Sequence, residues 1–277
     1  MSGAAFALAL GAACLHASWN VLLAGARDTA AAAGGLLVWG VALLAVPALV
    51  TGGVESSAWP YIAASAALEL VYFALLARAY RDGELSVVYP VARGSAPVVV
   101  LVVASIGLGE GVGAWAVAGI LGVAAGILLV SWKRPALVSY SDTQAGQMRR
   151  DVAFGLAIGV VIAAYTLVDS EGVERALPIA YLALVIAPCA VLYPAAVRRR
   201  PDLGARSALT AAFTLGAYLL VLAALRLAPP PPVAAVRESS VVIAAVLAAV
   251  FLHERVDGWR LGGAVLVVAG VAAIALG

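Results

Sequence analysis

The chain has 277 residues, of which 64% are hydrophobic and 12% are charged, and its formal net charge at pH 7 is +2. Soluble domains have about 45–50% apolar and about 25% charged residues. With a mean hydropathy of +1.06, the composition excludes an ordinary soluble protein and predicts a polytopic membrane protein. The charged residues fall mainly in loops, so the net charge indicates no nucleic-acid partner, and we expect none.

The predicted elements are all transmembrane helices. A spanning helix needs about 20 apolar residues. Runs of about this length predict ten spans, at 3–24, 30–51, 59–80, 86–107, 112–132, 152–172, 178–197, 207–227, 232–252 and 258–276. Little sequence remains for a separate catalytic head, and we expect neither a cofactor nor a metal site. The predicted location is the plasma (inner) membrane, as an integral multi-pass protein.

The sequence repeats a short pattern after a constant step. Positions 93 and 237, and positions 110 and 254, are each 144 residues apart. The first copy is Arg93, Ser95, Glu110, Trp115, Gly119 and Gly126, and the second is Arg237, Ser239, Glu254, Trp259, Gly263 and Gly270. An ungapped repeat in hydrophobic sequence is typical of carriers built from two related halves. We therefore predict repeats at 1–134 and 152–277, joined by a linker at 135–151; the second is inverted because five spans is an odd number.

The basic residues predict an orientation. Most of the 17 Lys and Arg residues fall in loops that follow the odd-numbered spans. Cytoplasmic loops carry an excess of Lys and Arg. The charge pattern therefore predicts that both termini face outward.

Five charged residues inside predicted spans are candidates for groups buried within the membrane: Glu69, Arg93, Asp169, Arg237 and Glu238. A charge at mid-membrane costs about 2.5–3.5 kcal/mol on insertion scales, and such residues usually face the bundle interior. The two arginines present a planar fork that suits a substrate carboxylate or phosphate. Alternatively, they are structural: Glu69 would pair with Arg93, since spans 3 and 4 form a hairpin.

The acids among these residues are candidate proton carriers. A carboxyl group in an apolar site can exchange a proton near neutral pH, so Glu69, Asp169 or Glu238 could couple transport to a proton gradient. The alternative is a buried ion pair that never titrates.

Other side chains are candidates for contact with a substrate. His16 and Asn20 lie one helical turn apart and share a face of span 1. Aromatic residues within spans or near their ends could line an amphipathic pocket, or form an interfacial belt: Trp19, Tyr72, Tyr89, Tyr165 and Tyr218. The pocket would lie between spans 1, 3, 4, 6, 8 and 9.

Residues near the span ends are predicted to be structural. Glu110 and Glu254 follow spans 4 and 9 and are interpreted as turn-capping groups that hold the hairpins. Glycines with G-x-x-x-G spacing predict close helix packing, either internal or in a homodimer; they are Gly122 and Gly126, and Gly258 and Gly262.

Several strings, taken in order, resemble a known family. They are the residues 16–20 (HASWN), 89–97 (YPVARGSAP), 109–110 (GE), 237–241 (RESSV) and 253–255 (HER). Over nearly its whole length the chain resembles ten-span, EamA-type members of the drug/metabolite transporter superfamily. The resemblance implies a carrier that moves small metabolites, often outward and often amino acids, by alternating access. Family members are commonly drawn with cytoplasmic termini, which opposes the orientation predicted from charge.

The function predicted from the sequence is secondary active transport of a small polar or amphipathic metabolite, most simply export of an amino acid or related zwitterion. The substrate and membrane lipid are the expected partners. An alternative is a translocase for a lipid-linked or phosphorylated metabolite, whose phosphate the arginines would hold. An intramembrane enzyme is disfavoured because no H-E-x-x-H or G-x-S-x-G string is present.

Overall fold

A computed structural model describes residues 1–24, 26–107, 109, 111–130, 142–251 and 258–276. The helices, in chain order, are α1 (Gly3–Ala24), α2 (Thr29–Thr51), α3 (Trp59–Asp82), α4 (Leu85–Val102), α5 (Ala114–Val130), α6 (Asp142–Arg175), α7 (Pro178–Val197), α8 (Ala205–Leu225), α9 (Pro230–Arg237), α10 (Ser240–Phe251) and α11 (Gly258–Leu276). Within this part of the chain there is no strand, only an isolated antiparallel bridge between Val54 and Ala176. The all-α class predicted from the sequence is confirmed.

Helices long and apolar enough to cross a membrane recur along the described ranges. Seven segments meet both the length and the hydropathy that a membrane span requires: Thr29–Thr51, Ser56–Ala79, Val87–Gly107, Gly146–Arg175, Pro178–Val197, Ala205–Leu225 and Gly258–Leu276. Ala114–Val130 is a shorter apolar helix. The chain is therefore an integral, multi-pass membrane protein.

Two helices differ from their predicted bounds. α6 begins at Asp142 rather than at 152, so the described part of the predicted 135–151 linker is helical. Hydropathy marks only the apolar part of a helix, and these first turns are polar. Gln147 Nε2 donates to Asp151 Oδ1 over 3.1 Å, one turn along, which is a stabilising i,i+4 pair.

The predicted ninth span is divided into α9 and α10. The break lies at Glu238 and Ser239, where the backbone changes to tighter hydrogen bonds between residues three apart. The Glu238 N–H donates to Ala235 O and the Ser239 N–H donates to Val236 O, each over 3.1 Å. α9 begins at Pro230, and proline is tolerated there because the first turn of a helix does not need its N–H. The break places two charged residues, Arg237 and Glu238, deep in the bundle.

Each helix packs against a small set of neighbours. The principal pairs are α5 with α11, α4 with α6, α1 with α8, α2 with α7, α3 with α6, α3 with α7, and α2 with α8. α1 also packs against α9 and α10, and α4 against α5 and α9. α3 and α4 follow one another in the chain but pack mainly on different helices.

α5 and α11 meet at four glycines. A Cβ added to Gly119 would lie 2.6 Å from the Gly270 carbonyl oxygen, and one on Gly126 would lie 2.8 Å from that of Gly263. The pairing runs in opposite directions along the two helices, which are therefore antiparallel. Glycines seven residues apart lie on one face of a helix, and their missing side chains let the two backbones touch.

The predicted G-x-x-x-G contacts are only partly observed. Gly126 is at the contact, but a Cβ on Gly122 would lie 3.6 Å from Gly270 Cα, which is an ordinary van der Waals distance. A Cβ on Gly258 would meet no described atom within 4 Å, and one on Gly262 would be 3.8 Å from Leu129 Cδ2. Gly258 and Gly262 are therefore not part of the close internal contact, which uses glycines two turns apart; their alternative role in a homodimer stays a prediction.

Replacing Gly126 by alanine should destabilise the protein. The new methyl group would meet backbone atoms of α11 that have no room to shift, and such overpacking costs about 1–3 kcal/mol. Gly122→Ala is the matched control on the same helix, since its methyl group has space and alanine favours helix by up to about 1 kcal/mol. Thermal unfolding in detergent should show a lower midpoint for Gly126→Ala and an equal or higher one for Gly122→Ala. Equal midpoints for the two variants would contradict the close backbone contact.

Candidate functional site

A buried ion pair joins α4 to the break between α9 and α10. Arg93 Nη1 lies 3.1 Å from both Oε1 and Oε2 of Glu238, and the two side chains are 4% and 1% exposed. Arg237 Nε lies 3.4 Å from Glu238 Oε1. Glu238 therefore lies between two guanidinium groups, which compensates its charge where water does not reach it.

The local sequence places Arg93 on the side of α4 that faces this break. Glycines of α6 allow the opposite side of α4 to come close: a Cβ on Gly155 would lie 2.8 Å from Val88 O, and one on Gly159 would lie 2.9 Å from Ala92 O. With α6 packed there, Arg93 projects toward α9. Two prolines inside α4, Pro90 and Pro97, flank Arg93; each removes a backbone donor from the helix.

The expected pairing of Arg93 with Glu69 is wrong. Arg93 pairs with Glu238 instead, because α3 packs mainly against α6 and α7 whereas α4 packs against α6, α5 and α9. The hairpin connection between spans 3 and 4 brings their ends together but does not bring these side chains together.

His16 connects α1 to this ion pair. Trp19 Nε1 donates to His16 Nδ1 over 3.1 Å, and the two rings meet edge to face at 4.9 Å between centroids. His16 Nε2 contacts Arg93 Nη2. Asn20, which was predicted to share the site, donates through Nδ2 to the His16 carbonyl of its own helix over 2.8 Å.

Arg237 differs from Arg93 in its surroundings. Its side chain is buried, yet Nε has no hydrogen-bond partner within the described part of the chain. Arg237 also lines a cavity, whereas Arg93 does not appear among the lining residues. Of the two repeat-related arginines, Arg237 is the one whose side chain lines the cavity.

The cavity lies in the middle of the bundle and encloses about 650 Å³, including its opening. Residues predicted to bind substrate or protons make up much of its lining: His16, Trp19, Glu69, Tyr72, Tyr165, Tyr218 and Arg237. Apolar side chains complete the wall, among them Phe73, Leu182, Ile186 and Val221. α4, predicted to line the cavity, is absent from the lining, and α7 contributes Leu182 and Ile186 instead.

Aromatic side chains form a connected row along one side of the cavity. Tyr165 packs edge to face against Tyr72 and against Tyr218, with 6.0 Å between ring centroids in each pair. Tyr72 also contacts Phe73, at 5.4 Å. Tyr89 is not part of this row, because its ring lies 5.3 Å from the Arg93 guanidinium carbon, a cation–π contact.

Asp169 lies behind the cavity wall and is fully buried. Its Oδ1 accepts a hydrogen bond from the Tyr181 hydroxyl at 2.7 Å, and its Oδ2 accepts one from the Tyr218 hydroxyl. Tyr181 was missed by the sequence analysis. An aromatic residue one turn inside span 7 is also typical of an interfacial anchor. The sequence therefore contained no signal that distinguishes such an anchor from a buried hydrogen-bond donor.

Two predicted turn residues, Glu110 and Glu254, lie outside the described residues. Their role as turn-capping groups stays a prediction.

Comparison with known proteins gives the fold and a similar family. No curated protein matches the chain. Among solved structures, 27 chains match. One of them is a crystal structure whose description names no function. The match covers 100% of this chain and 98% of that chain, with a TM-score of 0.80 and 16% sequence identity. At that identity the likeness shows the fold alone.

The second half of the chain gives the more specific result. Residues 150–276 match the family model of the EamA-like transporter family. This region contains Asp169, Arg237 and Glu238, and it includes the divided helix α9–α10. The second half of the chain is thus similar to the EamA-like transporter family, which is part of the drug/metabolite transporter superfamily.

Proposed function

We propose that the chain is a secondary active transporter that moves a small zwitterionic or amphipathic metabolite, such as an amino acid, outward by alternating access. The proposal depends on Arg237, a buried arginine that lines an aromatic cavity and shares the carboxylate of Glu238 with Arg93. A positive charge within an apolar bundle often marks a substrate pathway. The similarity to the EamA-like family supports transport rather than catalysis.

We propose ten spans in two inverted repeats, with α9 and α10 together forming one span. The helix contacts support this arrangement. In this arrangement, the repeat equivalents of α1, α2, α3, α4 and α5 are α6, α7, α8, α9–α10 and α11. The contact of α1 with α8 then has an equivalent in the contact of α6 with α3, and the contact of α3 with α7 has one in the contact of α8 with α2. The glycines at the α5–α11 contact follow the same rule, since Gly119 and Gly126 are the repeat equivalents of Gly263 and Gly270 and meet them crosswise.

The two arginines have different roles in this proposal. Arg93 is structural, because both oxygens of Glu238 and His16 occupy its guanidinium. Arg237 binds the substrate anion, because its side chain lines the cavity. The repeat explains why each half has an arginine, and the acid that follows only Arg237 explains why the two differ.

The remaining lining residues fit a zwitterion with an apolar side chain. Glu69 faces the same cavity as Arg237, so a carboxylate and an ammonium group each have a counter-charge. Aromatic faces beside them attract a cation. Phe73, Leu182 and Ile186 offer an apolar surface for the rest of the molecule, in keeping with small-molecule sites in general.

Alternating access requires closures that open in turn, and two candidate closures lie at opposite ends of α2. In the first latch, residues 53–55 bind residues 175–177: Glu55 N–H donates to Arg175 O and Leu177 N–H to Gly53 O, each over 3.0 Å. In the second latch, residues 28–31 bind residues 199–202.

The second latch has one backbone bond and one ion pair. The Asp202 N–H donates to Ala31 O over 2.9 Å, and Arg199 Nε lies 3.5 Å from Asp28 Oδ2. The loops of the second latch are the repeat equivalents of those in the first. By the charge pattern, the second latch lies on the cytoplasmic side and the first on the outer side. We propose that one latch opens while the other stays closed.

Replacing each arginine by glutamine should separate the two roles. Arg237→Gln should leave folding intact and raise the KM of transport roughly 10- to 100-fold, since a hydrogen bond to a charged group is worth about 1.5–3 kcal/mol. Arg93→Gln should instead lower the thermal midpoint in detergent, because removing one partner of a buried ion pair costs about 3–5 kcal/mol. Uptake into proteoliposomes and thermal unfolding measure the two effects.

The double variant Arg93→Gln with Glu238→Gln is the control for the ion pair. It removes both charges and should recover part of the lost stability. The transport panel should contain apolar amino acids and phosphorylated metabolites at equal concentration. Arg237→Gln with an unchanged KM, or saturable uptake confined to the phosphorylated compounds, would contradict the proposed substrate site.

Locking either latch should stop transport. In a background without Cys14 and Cys189, Val54→Cys with Ala176→Cys tests the first latch, since bridge partners lie at a separation that a disulfide spans. Asp28→Cys with Arg199→Cys, joined by a short bifunctional thiol reagent, tests the second. Each crosslink should abolish exchange in proteoliposomes, and cleaving it should restore exchange.

A crosslink across α5 and α11 is the matched control for the latches. Leu129→Cys with Gly262→Cys joins helices that meet along the proposed two-fold axis, so transport should continue with this crosslink in place. Sustained transport with either latch locked would refute alternate opening at these loops.

A further inference from the structure

Asp169 is a buried acid whose hydrogen-bond partners among the described residues are hydroxyl groups. Glu238 instead lies between the guanidinium groups of Arg93 and Arg237. Glu69 faces the cavity, where the substrate would meet it. Asp169 is fully buried, and the hydrogen bonds to its carboxylate come from the hydroxyls of Tyr181 and Tyr218.

Both tyrosines have a second acceptor within reach. The Tyr181 hydroxyl also lies 3.4 Å from the Tyr61 carbonyl oxygen, and the Tyr218 hydroxyl also interacts with the carboxyl group of Glu69. An ionised carboxylate only accepts hydrogen bonds, whereas a carboxylic acid carries one O–H donor of its own. The cluster therefore accommodates either state of Asp169, because a tyrosine displaced from it has another acceptor.

The charged and titratable groups around Asp169 come from four helices. Glu69 lies on α3, Tyr181 on α7, Tyr218 on α8 and Arg237 on α9, and the charges of Glu69 and Arg237 act on Asp169. Tyr218 lines the cavity while contacting the buried acid. A proton on Asp169 is thus one hydroxyl away from the substrate space.

We infer that Asp169, Tyr181 and Tyr218 form the proton-binding site that couples transport to a proton gradient. The Tyr218 hydroxyl takes the proton of Asp169 as it gives its own to the Glu69 carboxylate. Asp169 becomes a carboxylate, Glu69 becomes a carboxylic acid, and Tyr218 is neutral before and after. This inference rests on the proposed transport function and adds to it the coupled ion and the residues that bind it.

Two assays on purified protein in proteoliposomes separate coupling from substrate movement. Exchange of labelled for unlabelled amino acid at equal pH needs substrate binding and the two latches but no net proton movement. Accumulation driven by a pH gradient, with an internal pH dye to follow proton flux, needs coupling as well. Asp169→Asn should lose at least tenfold in gradient-driven accumulation and in substrate-induced proton flux, while exchange stays within about threefold of the unmodified protein.

Tyr181→Phe offers a milder test that does not remove the acid. Loss of one donor to the carboxylate weakens the ionised state, so the midpoint of the pH profile of accumulation should move upward by about one pH unit. Tyr193→Phe is the matched control: Tyr193 is also fully buried, but its ring packs against Phe73 at 5.8 Å between centroids, away from Asp169. Its pH profile should not move.

The outcomes are distinct. Gradient-driven accumulation that survives in Asp169→Asn would overturn the inference, and so would equal loss of exchange and accumulation in a folded Asp169→Asn protein. If Asp169→Asn does not fold, an unshifted profile for Tyr181→Phe would overturn it. Absence of exchange in the unmodified protein would instead refute the proposed transport function.

Discussion

The ion pair between Arg93 and Glu238 is the constraint on which the centre of the molecule depends. Two charges inside an apolar bundle are stable only if each has a partner of opposite sign. Glu238 reaches Arg93 because the helix is broken at Glu238 and Ser239, and Arg93 faces that break because glycines of α6 hold the other side of α4. His16 and Tyr89 then pack around the same guanidinium.

The two repeat-related arginines, Arg93 and Arg237, differ in the residue that follows each of them. Position 94 is glycine in the first half and position 238 is glutamate in the second. The single acid between two arginines cannot satisfy both equally: it lies 3.1 Å from Arg93 Nη1 through both oxygens, but 3.4 Å from Arg237 Nε. Both oxygens of Glu238 bind Arg93, whereas the side chain of Arg237 also lines the cavity.

Two kinds of carboxyl group surround the cavity, and their partners distinguish them. Glu238 is held by cations, whereas Asp169 is held by tyrosine hydroxyls that have alternative acceptors. Hydroxyl groups both donate and accept, so they can follow a change in the protonation of a neighbour, which a guanidinium cannot. In the proposed mechanism the contact of α5 with α11 is kept while the two latches at the ends of α2 open in turn.

The sequence by itself determined the membrane class and the helical fold. It also singled out the charged residues Arg93, Asp169, Arg237 and Glu238, because charge within apolar sequence is visible without any structure. It did not determine which charges meet: Glu69 was assigned to Arg93, and Tyr181 was missed. Neighbours in the chain need not be neighbours in a bundle, since helix contacts depend on where glycines let backbones approach, as at Gly155, Gly159 and the α5–α11 contact. Only the tertiary structure decided that both oxygens of Glu238 bind Arg93 and that Arg237 lines the cavity.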